Sequence, residues 1–296
     1  MKKFKQLGLI GCGMMGGSFA LALKRAGLVE RVVGYNKSPS KTETAKRMGI
    51  IDDAAASILQ AVMGSDLVLI AVPVSATFDV LKSVQFGLNK EALILDVGST
   101  KQSVIQAAES VFGALPSHFV PSHPIAGKEQ AGIEAADADL YVGKRVILTP
   151  TELTDSAAIE NAIAVWQSLG MSVSQMTSTE HDAVFAAVSH FPHLLAFAYM
   201  NGLASQSEAR QFLQMAGPGF KDFTRIAAGD PELWSDIFLA NSQEILKQSG
   251  AMSLSLKRLE DAMHSSSPQT LKELIGTASA LRSGWTLNNK SAVDDI

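Results

Sequence analysis

The sequence predicts an α/β fold, a doubly wound parallel sheet, in its first part and an all-α domain in its second. Short β-rich runs alternate with helical patterns as far as Met176. Two of these runs, Leu67–Ala71 and Ala92–Leu95, are apolar throughout, as expected of parallel strands that are covered on both faces. After Met176 only helical periodicity remains. Repeated strand–helix alternation implies parallel strands joined by right-handed crossovers.

The elements of the first part follow from local signals. A strand is predicted at Leu7–Ile10, and helical periodicity begins at Met14 and ends at Arg25, close to Gly27. Glycine at such a position commonly terminates a helix. The other predicted elements are the strands Arg31–Tyr35, Arg145–Leu148 and Ser172–Gln175 and the helices Ser40–Met48 and Ser156–Leu169.

The change of pattern predicts a domain boundary near residue 176, with one domain over residues 1–176 and a helical domain over 177–296. In the second domain, the helices near Ala183–Leu203 and Leu233–Leu246 are apolar on most faces. A helix that is apolar all round must be buried, either in a domain core or against another subunit. We therefore predict a homodimer formed through the helical domain. The polar end, Asn288–Ile296, is expected to fray.

Composition limits the partners and the compartment. Of the 296 residues, 47% are hydrophobic, and the net charge of −4 comes without a basic stripe, so disorder and nucleic-acid binding are not expected. The N-terminal lysines and apolar run resemble a secretion signal, but the glycines between Gly8 and Gly17 make a poor membrane helix. The single cysteine, Cys12, fits a reducing compartment. We therefore expect a cytoplasmic protein without a membrane partner.

A glycine-rich turn lies between the first predicted strand and helix. The segment Gly11-Cys12-Gly13-Met14-Met15-Gly16 matches the pattern G-x-G-x-x-G of Rossmann domains. In such a turn Gly11 allows the tight bend, Gly13 lets the backbone approach a pyrophosphate, and Gly16 lets the helix pack closely on the strand. The segment predicts a dinucleotide site that includes Gly11, Gly13, Met14, Met15 and Gly16, the alternative being a turn without a ligand. Cys12 is interpreted as a small filler.

The end of the second strand bears on the choice of dinucleotide. NAD-binding domains commonly place a carboxylate about 20 residues after the glycines. This chain has Asn36 there, followed by Lys37, Ser38 and Lys41. Asn36 does not repel a 2′-phosphate, and the lysine and serine side chains can bind one. The sequence therefore favours NADP over NAD, although the lysines alternatively form only a solvated helix start.

Three segments follow predicted strands at the edge where doubly wound sheets bind ligands. They are Ala71-Val72-Pro73, Asp96-Val97-Gly98-Ser99-Thr100-Lys101 and Ser122-His123-Pro124-Ile125-Ala126-Gly127. We expect Val72 and Pro73 to contact the cofactor, and Ser99 and His123 to face a shared site. A histidine that only caps a turn is the alternative for His123.

Together with segments of the helical domain, these motifs resemble the prephenate and arogenate dehydrogenase family. The matching segments follow the family's order: Gly8 to Ser18, Asp96 to Lys101, His123 to Gly127, Glu180-His181-Asp182, Ser189-His190-Phe191-Pro192-His193 and Gly219 to Ala227. They span most of the chain. The resemblance implies an NAD(P)-dependent oxidoreductase that decarboxylates prephenate or arogenate, both small dicarboxylates, in tyrosine biosynthesis. The choice between the two substrates stays open.

The resemblance also implies roles for individual side chains. His123 accepts the proton of the C4 hydroxyl while hydride leaves C4, and Ser99 hydrogen-bonds the same hydroxyl. Arg225 clamps a substrate carboxylate. His190 and His193 lie along the pocket, with His190 preferred for direct contact. These residue types suit the chemistry, because histidine titrates near neutral pH and guanidinium binds carboxylates bidentately.

Other interpretations compete. His190 and His193 are three residues apart, but no carboxylate follows at metal-ligand spacing and the reaction needs no Lewis acid, so no metal is expected. Glu180-His181-Asp182 is interpreted as a helix cap rather than a catalytic pair. The alternative functions are a hydroxyacid dehydrogenase-like enzyme with a catalytic lysine in its helical domain and a non-enzymatic nicotinamide-binding sensor.

Overall fold

The computed structural model describes residues 3–128 and 130–286, so the segment Asn288–Ile296 lies outside the described residues. The strands are β1 (Phe4–Ile10), β2 (Val29–Tyr35), β3 (Asp53–Ala54), β4 (Leu67–Ile70), β5 (Leu93–Asp96), β6 (Phe119–Val120), β7 (Ser122–Ile125), β8 (Arg145–Leu148) and β9 (Ser172–Gln175). The helices of the first part are α1 (Met14–Arg25), α2 (Pro39–Arg47), α3 (Ile58–Val62), α4 (Thr77–Val84), α5 (Gln102–Phe112) and α6 (Ser156–Ser168).

The elements that follow β9 are all helical within the described residues. They include α7 (Ser178–Phe185), a π-helical turn (Ala186–His190), α8 (Phe191–Ala204), α9 (Ala209–Gln214), α10 (Pro218–Thr224), α11 (Pro231–Ala240), α12 (Ser242–His264) and α13 (Pro268–Gly284). The predicted change from sheet to helix after Met176 is therefore confirmed.

The main sheet has the order β3-β2-β1-β4-β5-β6, and every neighbouring pair is parallel. The strand order reverses between β1 and β4, which is the position where doubly wound sheets bind dinucleotides. This architecture confirms the predicted fold class, a Rossmann-type sheet followed by helices.

Alternate residues of the central strands enter two separate cores. Leu67 and Leu69 of β4 pack in one apolar cluster with Phe19 of α1, whereas Val68 and Ile70 pack in the other with α3 and α4. Both faces of the sheet are thus covered by helices. This is why the central strands are apolar at every position instead of alternating.

A second, smaller sheet has the order β7-β8-β9, with β7 antiparallel to β8 and β8 parallel to β9. The bounds predicted for β8 and β9 are confirmed, but these strands do not extend the main sheet. The chain leaves the main sheet at Pro121, between β6 and β7. Proline has no N–H to continue a ladder, and the Pro121 carbonyl accepts a bond from the Thr149 N–H beyond β8 instead. His123 lies on β7, the first strand of this second sheet.

Helices α8 and α11 are apolar but little buried within one chain. Ala196 is the buried residue of α8 and Ile237 that of α11, while Leu239 is 75% exposed and Val188 of the π-helical turn 68% exposed. By length and composition alone, the stretch Ser178–Ala204 could cross a membrane. It also contains buried polar residues bonded to the sheet domain, described below, so we interpret it as part of the folded protein.

By internal contacts the chain divides into two compact units between Ile245 and Leu246. The predicted boundary near residue 176 stays a prediction, because it marks the change from sheet to helix within the larger unit.

Candidate active site

The glycine-rich turn connects β1 to α1 and has the geometry that its sequence predicts. Gly11 has a φ of +100°, and a Cβ there would lie 2.1 Å from the Ala71 carbonyl oxygen. A Cβ on Gly16 would lie 2.3 Å from the Gly11 carbonyl oxygen, whereas a Cβ on Gly13 would meet no atom within 4 Å. Gly11 and Gly16 therefore allow the close approach of helix and strand. Gly13 leaves its side of the turn open at the N-terminus of α1, where no side chain caps the helix.

The residues between these glycines have structural surroundings. Cys12 is buried with its Sγ 3.6 Å from the Tyr35 carbonyl oxygen, and burial raises the pKa of its thiol to about 12. The thiol therefore stays protonated at neutral pH and is no nucleophile. This agrees with the interpretation of Cys12 as a small packing residue. Met14 and Met15 are partly buried, and the Tyr141 hydroxyl donates to the Met15 carbonyl at 2.8 Å, which anchors the first turn of α1.

The segment after β2 forms a polar turn that leads into α2. The Asn36 side-chain oxygen accepts from the Ser38 N–H at 3.0 Å, and the Asn36 N–H donates to the Thr42 hydroxyl at 3.1 Å. Lys37 and Lys41 are exposed and form no ion pair within residues 3–128 and 130–286. The first turn of α2 contains no acidic residue. The turn is thus available to a phosphate group from the solvent side.

Val72 and Pro73 follow β4 at the same edge of the sheet as the glycine turn. The Ala71 N–H donates to the Ile10 carbonyl at 2.7 Å, which keeps the two strand ends together. Two residues beyond Pro73, the Ser75 hydroxyl donates to the Asp236 carboxylate of α11 at 2.5 Å. The loop predicted to contact the cofactor is therefore tied to a helix of the second part.

Three side chains form a hydrogen-bonded line that begins at His123 in β7. Nδ1 of His123 lies 2.8 Å from Nε2 of His181, and Nδ1 of His181 lies 2.8 Å from the Asp182 carboxylate. His181 and Asp182 are buried, while His123 is half-buried. The Phe185 ring packs on both imidazoles, with its centroid 4.7 Å from that of His123 and 4.5 Å from that of His181.

This line fixes the imidazole tautomers. An ionised carboxylate only accepts hydrogen bonds, so Nδ1 of His181 carries its proton toward Asp182. Nε2 of His181 then accepts, and Nδ1 of His123 donates to it. The remaining nitrogen of His123, Nε2, is left with a lone pair, which is the form a proton acceptor needs.

The electrostatic surroundings keep His123 neutral. Burial is the main cause that lowers its pKa well below the usual value, and the charges of His181, Lys101 and His190 act in the same direction. Burial likewise lowers the pKa of His181, although the hydrogen bond to Asp182 opposes this shift. At neutral pH both imidazoles are therefore uncharged and ready to take up a proton.

His190 connects the Ser99 loop to the helical part. Its Nδ1 lies 3.1 Å from the Asn241 side-chain nitrogen, and the ring also forms a hydrogen bond with the Ser99 backbone. Because the Asn241 N–H donates to Nδ1, the proton of His190 sits on Nε2 and points toward Ser99. His190 is buried, and burial lowers its pKa to about 4. Its ring nitrogens are thus engaged inside the protein, and its contact with Ser99 brings two of the predicted site residues together.

His193 and Arg225 form a second group. The His193 ring stacks on Trp234 with centroids 3.6 Å apart, and its Nδ1 lies 2.9 Å from the Ser189 carbonyl oxygen. His193 is half-buried; burial lowers its pKa, and the nearby charge of Arg225 lowers it further. Arg225 is exposed and begins the short helical turn after α10. Arg225 is therefore close enough for its charge to act on His193.

The role of Glu180-His181-Asp182 differs in part from the interpretation made from sequence. Thr177 and Glu180 do form a capping box at the start of α7. His181 and Asp182, however, face away from that cap: Asp182 accepts from the N–H groups of Lys101 and Gln102 at the start of α5, and His181 bonds His123. Helix capping therefore accounts for Glu180 but not for His181 or Asp182. The presence of all three residues in the family-like segment was the available signal.

Comparison with known proteins identifies the family. A family model described as the nucleotide-binding domain of prephenate dehydrogenase matches residues 19–175. A second, the dimerization domain of prephenate dehydrogenase, matches residues 177–277. The chain belongs to the prephenate dehydrogenase family.

Individual members of the prephenate dehydrogenase family are similar over almost the whole chain. A prephenate dehydrogenase from Bacillus subtilis is 34% identical over 96% of this chain and 77% of its own length. A cyclohexadienyl dehydrogenase from Zymomonas mobilis is 35% identical over 92% of this chain and 93% of its own. The crystal structure of prephenate dehydrogenase from A. aeolicus with hydroxyphenyl propionate and NAD+ covers 96% of this chain and 98% of its own, with a TM-score of 0.86 and 35% identity. The family predicted from the motifs is confirmed.

Proposed function

We propose that the chain oxidises the C4 hydroxyl of prephenate or arogenate with loss of the ring carboxylate, and that His123 is the proton acceptor. Family membership makes it an NAD(P)-linked dehydrogenase of this reaction class. The observation that supports the role of His123 is its line of hydrogen bonds to His181 and Asp182, which leaves Nε2 as a neutral base. A sensor has no need for such a base.

The glycine turn fits a dinucleotide. Gly13 leaves the backbone open where the pyrophosphate would approach, and the uncapped N–H groups of α1 favour a negatively charged group there. When bound, the nicotinamide accepts the hydride from C4 of the substrate. Gly11, Met14, Met15, Gly16, Val72 and Pro73 complete the proposed cofactor site.

The proton is handled by the chain's own residues. Nε2 of His123 takes the hydroxyl proton as C4 becomes a carbonyl carbon, and the positive charge that forms is stabilised through His181 by Asp182. The dienone then loses CO2 from C1, and the electron pair of the broken bond makes the ring aromatic and its C4 oxygen a phenolate. His123 returns the proton to that oxygen, which restores its neutral form. Aromatisation makes the sequence irreversible, so the protein mainly supplies orientation and proton transfer.

Ser99 and Arg225 are proposed to hold the substrate. Ser99 hydrogen-bonds the C4 hydroxyl, and Arg225 binds a carboxylate with its guanidinium. The surroundings of the two histidines favour His193 for direct contact, because it is half-buried beside Arg225, whereas His190 is buried with its nitrogens engaged by Asn241 and Ser99. This reverses the preference inferred from the sequence, and we propose that His190 positions the Ser99 loop.

The reaction is tested by initial rates with prephenate and arogenate, each with NAD and with NADP. We expect saturable reduction of the nicotinamide with at least one pair, and the fastest pair identifies both the substrate and the cofactor. No rate in any of the four combinations would overturn the assignment and favour a hydroxyacid substrate.

NADP is the proposed preferred cofactor. Asn36 supplies no negative charge, and Lys37 and Lys41 are solvent-exposed on the same turn as Ser38. Replacing both lysines (Lys37→Met with Lys41→Met) is expected to raise the KM for NADP roughly tenfold, since two charge-assisted contacts to the 2′-phosphate are lost. The KM for NAD serves as the internal control and should not change. Equal effects on both cofactors would contradict a 2′-phosphate site.

A homodimer is the proposed assembly, with a cytoplasmic location supported by the single, buried thiol of Cys12. The apolar helices α8 and α11 expose large side chains in one chain, and a second copy would cover them. The variant Val188→Glu with Leu239→Glu should therefore sediment as a monomer of 31.4 kDa, whereas the native protein sediments at twice this mass. Phe86→Glu, on an exposed residue of the sheet domain, is the matched control and should stay dimeric. A native monomer at micromolar concentration would contradict the dimer.

A further inference from the structure

Lys101 has a buried ammonium group that the proposed mechanism does not use. Its side chain is fully buried and forms an ion pair with Asp96, and Nζ also donates to the Ser122 carbonyl oxygen at 2.8 Å. Burial lowers the pKa of Lys101, while the charge of Asp96 acts against this shift. A buried charge of this kind is costly unless it is paired, and Asp96 supplies the opposite charge.

The Asp96–Lys101 pair holds the backbone beside both proposed site residues. Asp96 accepts from the Ser122 N–H at 2.8 Å and from the Gly98 N–H at 2.8 Å. Ser122 is thus bound at its N–H by Asp96 and at its carbonyl by Lys101, immediately before His123. Gly98 is bound immediately before Ser99.

A second carboxylate lies on the other side of Lys101. Asp182 accepts from the Lys101 N–H at 2.8 Å and the Gln102 N–H at 3.0 Å, as well as from His181. Burial would raise the pKa of Asp182, but these hydrogen bonds outweigh burial and lower it. Asp182 is therefore ionised at neutral pH.

The charged and titratable groups that act on His123, or on its hydrogen-bond partner His181, come from four elements. β5 contributes Asp96, the start of α5 contributes Lys101, α7 contributes His181 and Asp182, and the π-helical turn contributes the neutral His190. Among residues 3–128 and 130–286, these two carboxylates and one ammonium give the resting cluster one negative charge. Protonation of His123 by the substrate makes the cluster neutral.

We propose that Lys101 is a positioning residue that sets the proton affinity of His123 by cancelling the charge of Asp96, so that Asp182 alone balances the proton taken from the substrate. This proposal rests on the proposed role of His123 as the base. Without the ammonium, the cluster has two negative charges, and the pKa of His123 rises because the charge of Lys101 no longer opposes its protonation. Without the Asp182 charge, the resting cluster is neutral, and protonation of His123 is disfavoured.

The sign of the effect follows from the direction of proton transfer. Activity requires neutral His123, so kcat/KM rises with pH through the apparent pKa of the His123–His181 pair. Lys101→Met should move this rise, the acid limb of the pH profile, to higher pH by about one unit or more, the size expected for a nearby charge. Asp182→Asn should move the acid limb to lower pH by a similar amount. Shifts in opposite directions distinguish a charge effect from mere loss of structure.

A charge-neutral variant provides the matched control. Asp96→Asn combined with Lys101→Met removes one charge of each sign and leaves the cluster with its single negative charge. Its acid limb should coincide with that of the native enzyme, even where kcat falls because the backbone clamp is weakened. The double variant also leaves no buried, unpaired Asp96 carboxylate, which Lys101→Met does. If Lys101→Met does not fold, the double variant and Asp182→Asn together test the proposal.

The experiment is the pH dependence of kcat/KM for the native protein and these three variants, with circular dichroism to check folding. Opposite shifts of the two single variants and an unshifted double variant support the proposal. If Lys101→Met is unfolded, a shift of Asp182→Asn to lower pH together with an unshifted double variant supports it. Unmoved limbs, or shifts in one direction in all variants, overturn it. Failure of the proposed function looks different, because the native protein would then show no turnover or no acid limb at all.

Discussion

Replacing His123 by asparagine is expected to lower kcat by about 100- to 10,000-fold, the usual contribution of a positioned general base. The asparagine side chain can still donate a hydrogen bond to His181, but it has no nitrogen that accepts a proton at neutral pH. Binding of the cofactor and of the substrate should change little, because His123 makes its contribution as the hydroxyl proton leaves. The measurement is kcat together with the KM for the substrate and the KM for the cofactor, each determined with the other ligand saturating.

The control for this variant is His118→Asn. His118 is a partly exposed histidine whose Nδ1 lies 3.1 Å from Asp155, and nothing connects it to the line of His123, His181 and Asp182 within the part of the chain that the structure describes. It should retain the native rate. If His123→Asn kept most of its turnover, the histidine mechanism would be wrong, and a lysine-based mechanism of the hydroxyacid dehydrogenase kind would need testing.

Replacing Arg225 by methionine is expected to raise the KM for the substrate by roughly 10- to 100-fold, since a hydrogen-bonded charge pair with a carboxylate is lost. The effect on kcat should be smaller, because the guanidinium is proposed to hold a group that does not react. Arg225→Lys should recover only part of the loss, because an ammonium group lacks the planar, two-pronged geometry of guanidinium.

Arg210→Met is the matched control for charge. Arg210 is exposed on α9, and its removal changes the net charge of the protein by the same amount. Its KM for the substrate should equal that of the native protein. An equal rise in both variants would indicate that general electrostatic attraction, rather than a carboxylate clamp, explains the effect of Arg225.

The main sheet was predictable because each signal was local. The apolar run at Leu67–Ala71 indicated a strand covered on both faces, and the glycines between Gly11 and Gly16 marked the turn into α1. The second sheet was not predictable in this way. Its pairing depends on where Pro121 stops the main ladder and on an antiparallel contact between β7 and β8 across the loop from Ile125 to Arg145.

The site was predicted by residue type and only partly by arrangement. Ser99 follows the end of β5, which sequence patterns locate well, whereas His123 was expected after a strand and lies within β7. The sequence could not show which of the two histidines is better placed to contact the substrate. This depends on the burial of the His190 ring against Asn241 and on the stacking of the His193 ring against Trp234. His181 and Asp182 were assigned to a helix cap, since no local pattern reveals that α7 presents His181 to a strand and Asp182 to the start of α5.

The most direct test of the central claim is the stoichiometry of one complete reaction with the native protein. Reduced nicotinamide is followed by its absorbance, CO2 is trapped and counted, and the phenol is quantified by chromatography. We expect one CO2 and one phenol for each nicotinamide reduced, because hydride removal at C4 leads directly to loss of the ring carboxylate. Nicotinamide reduction without CO2 would contradict the account, since the protein would then be a simple alcohol dehydrogenase.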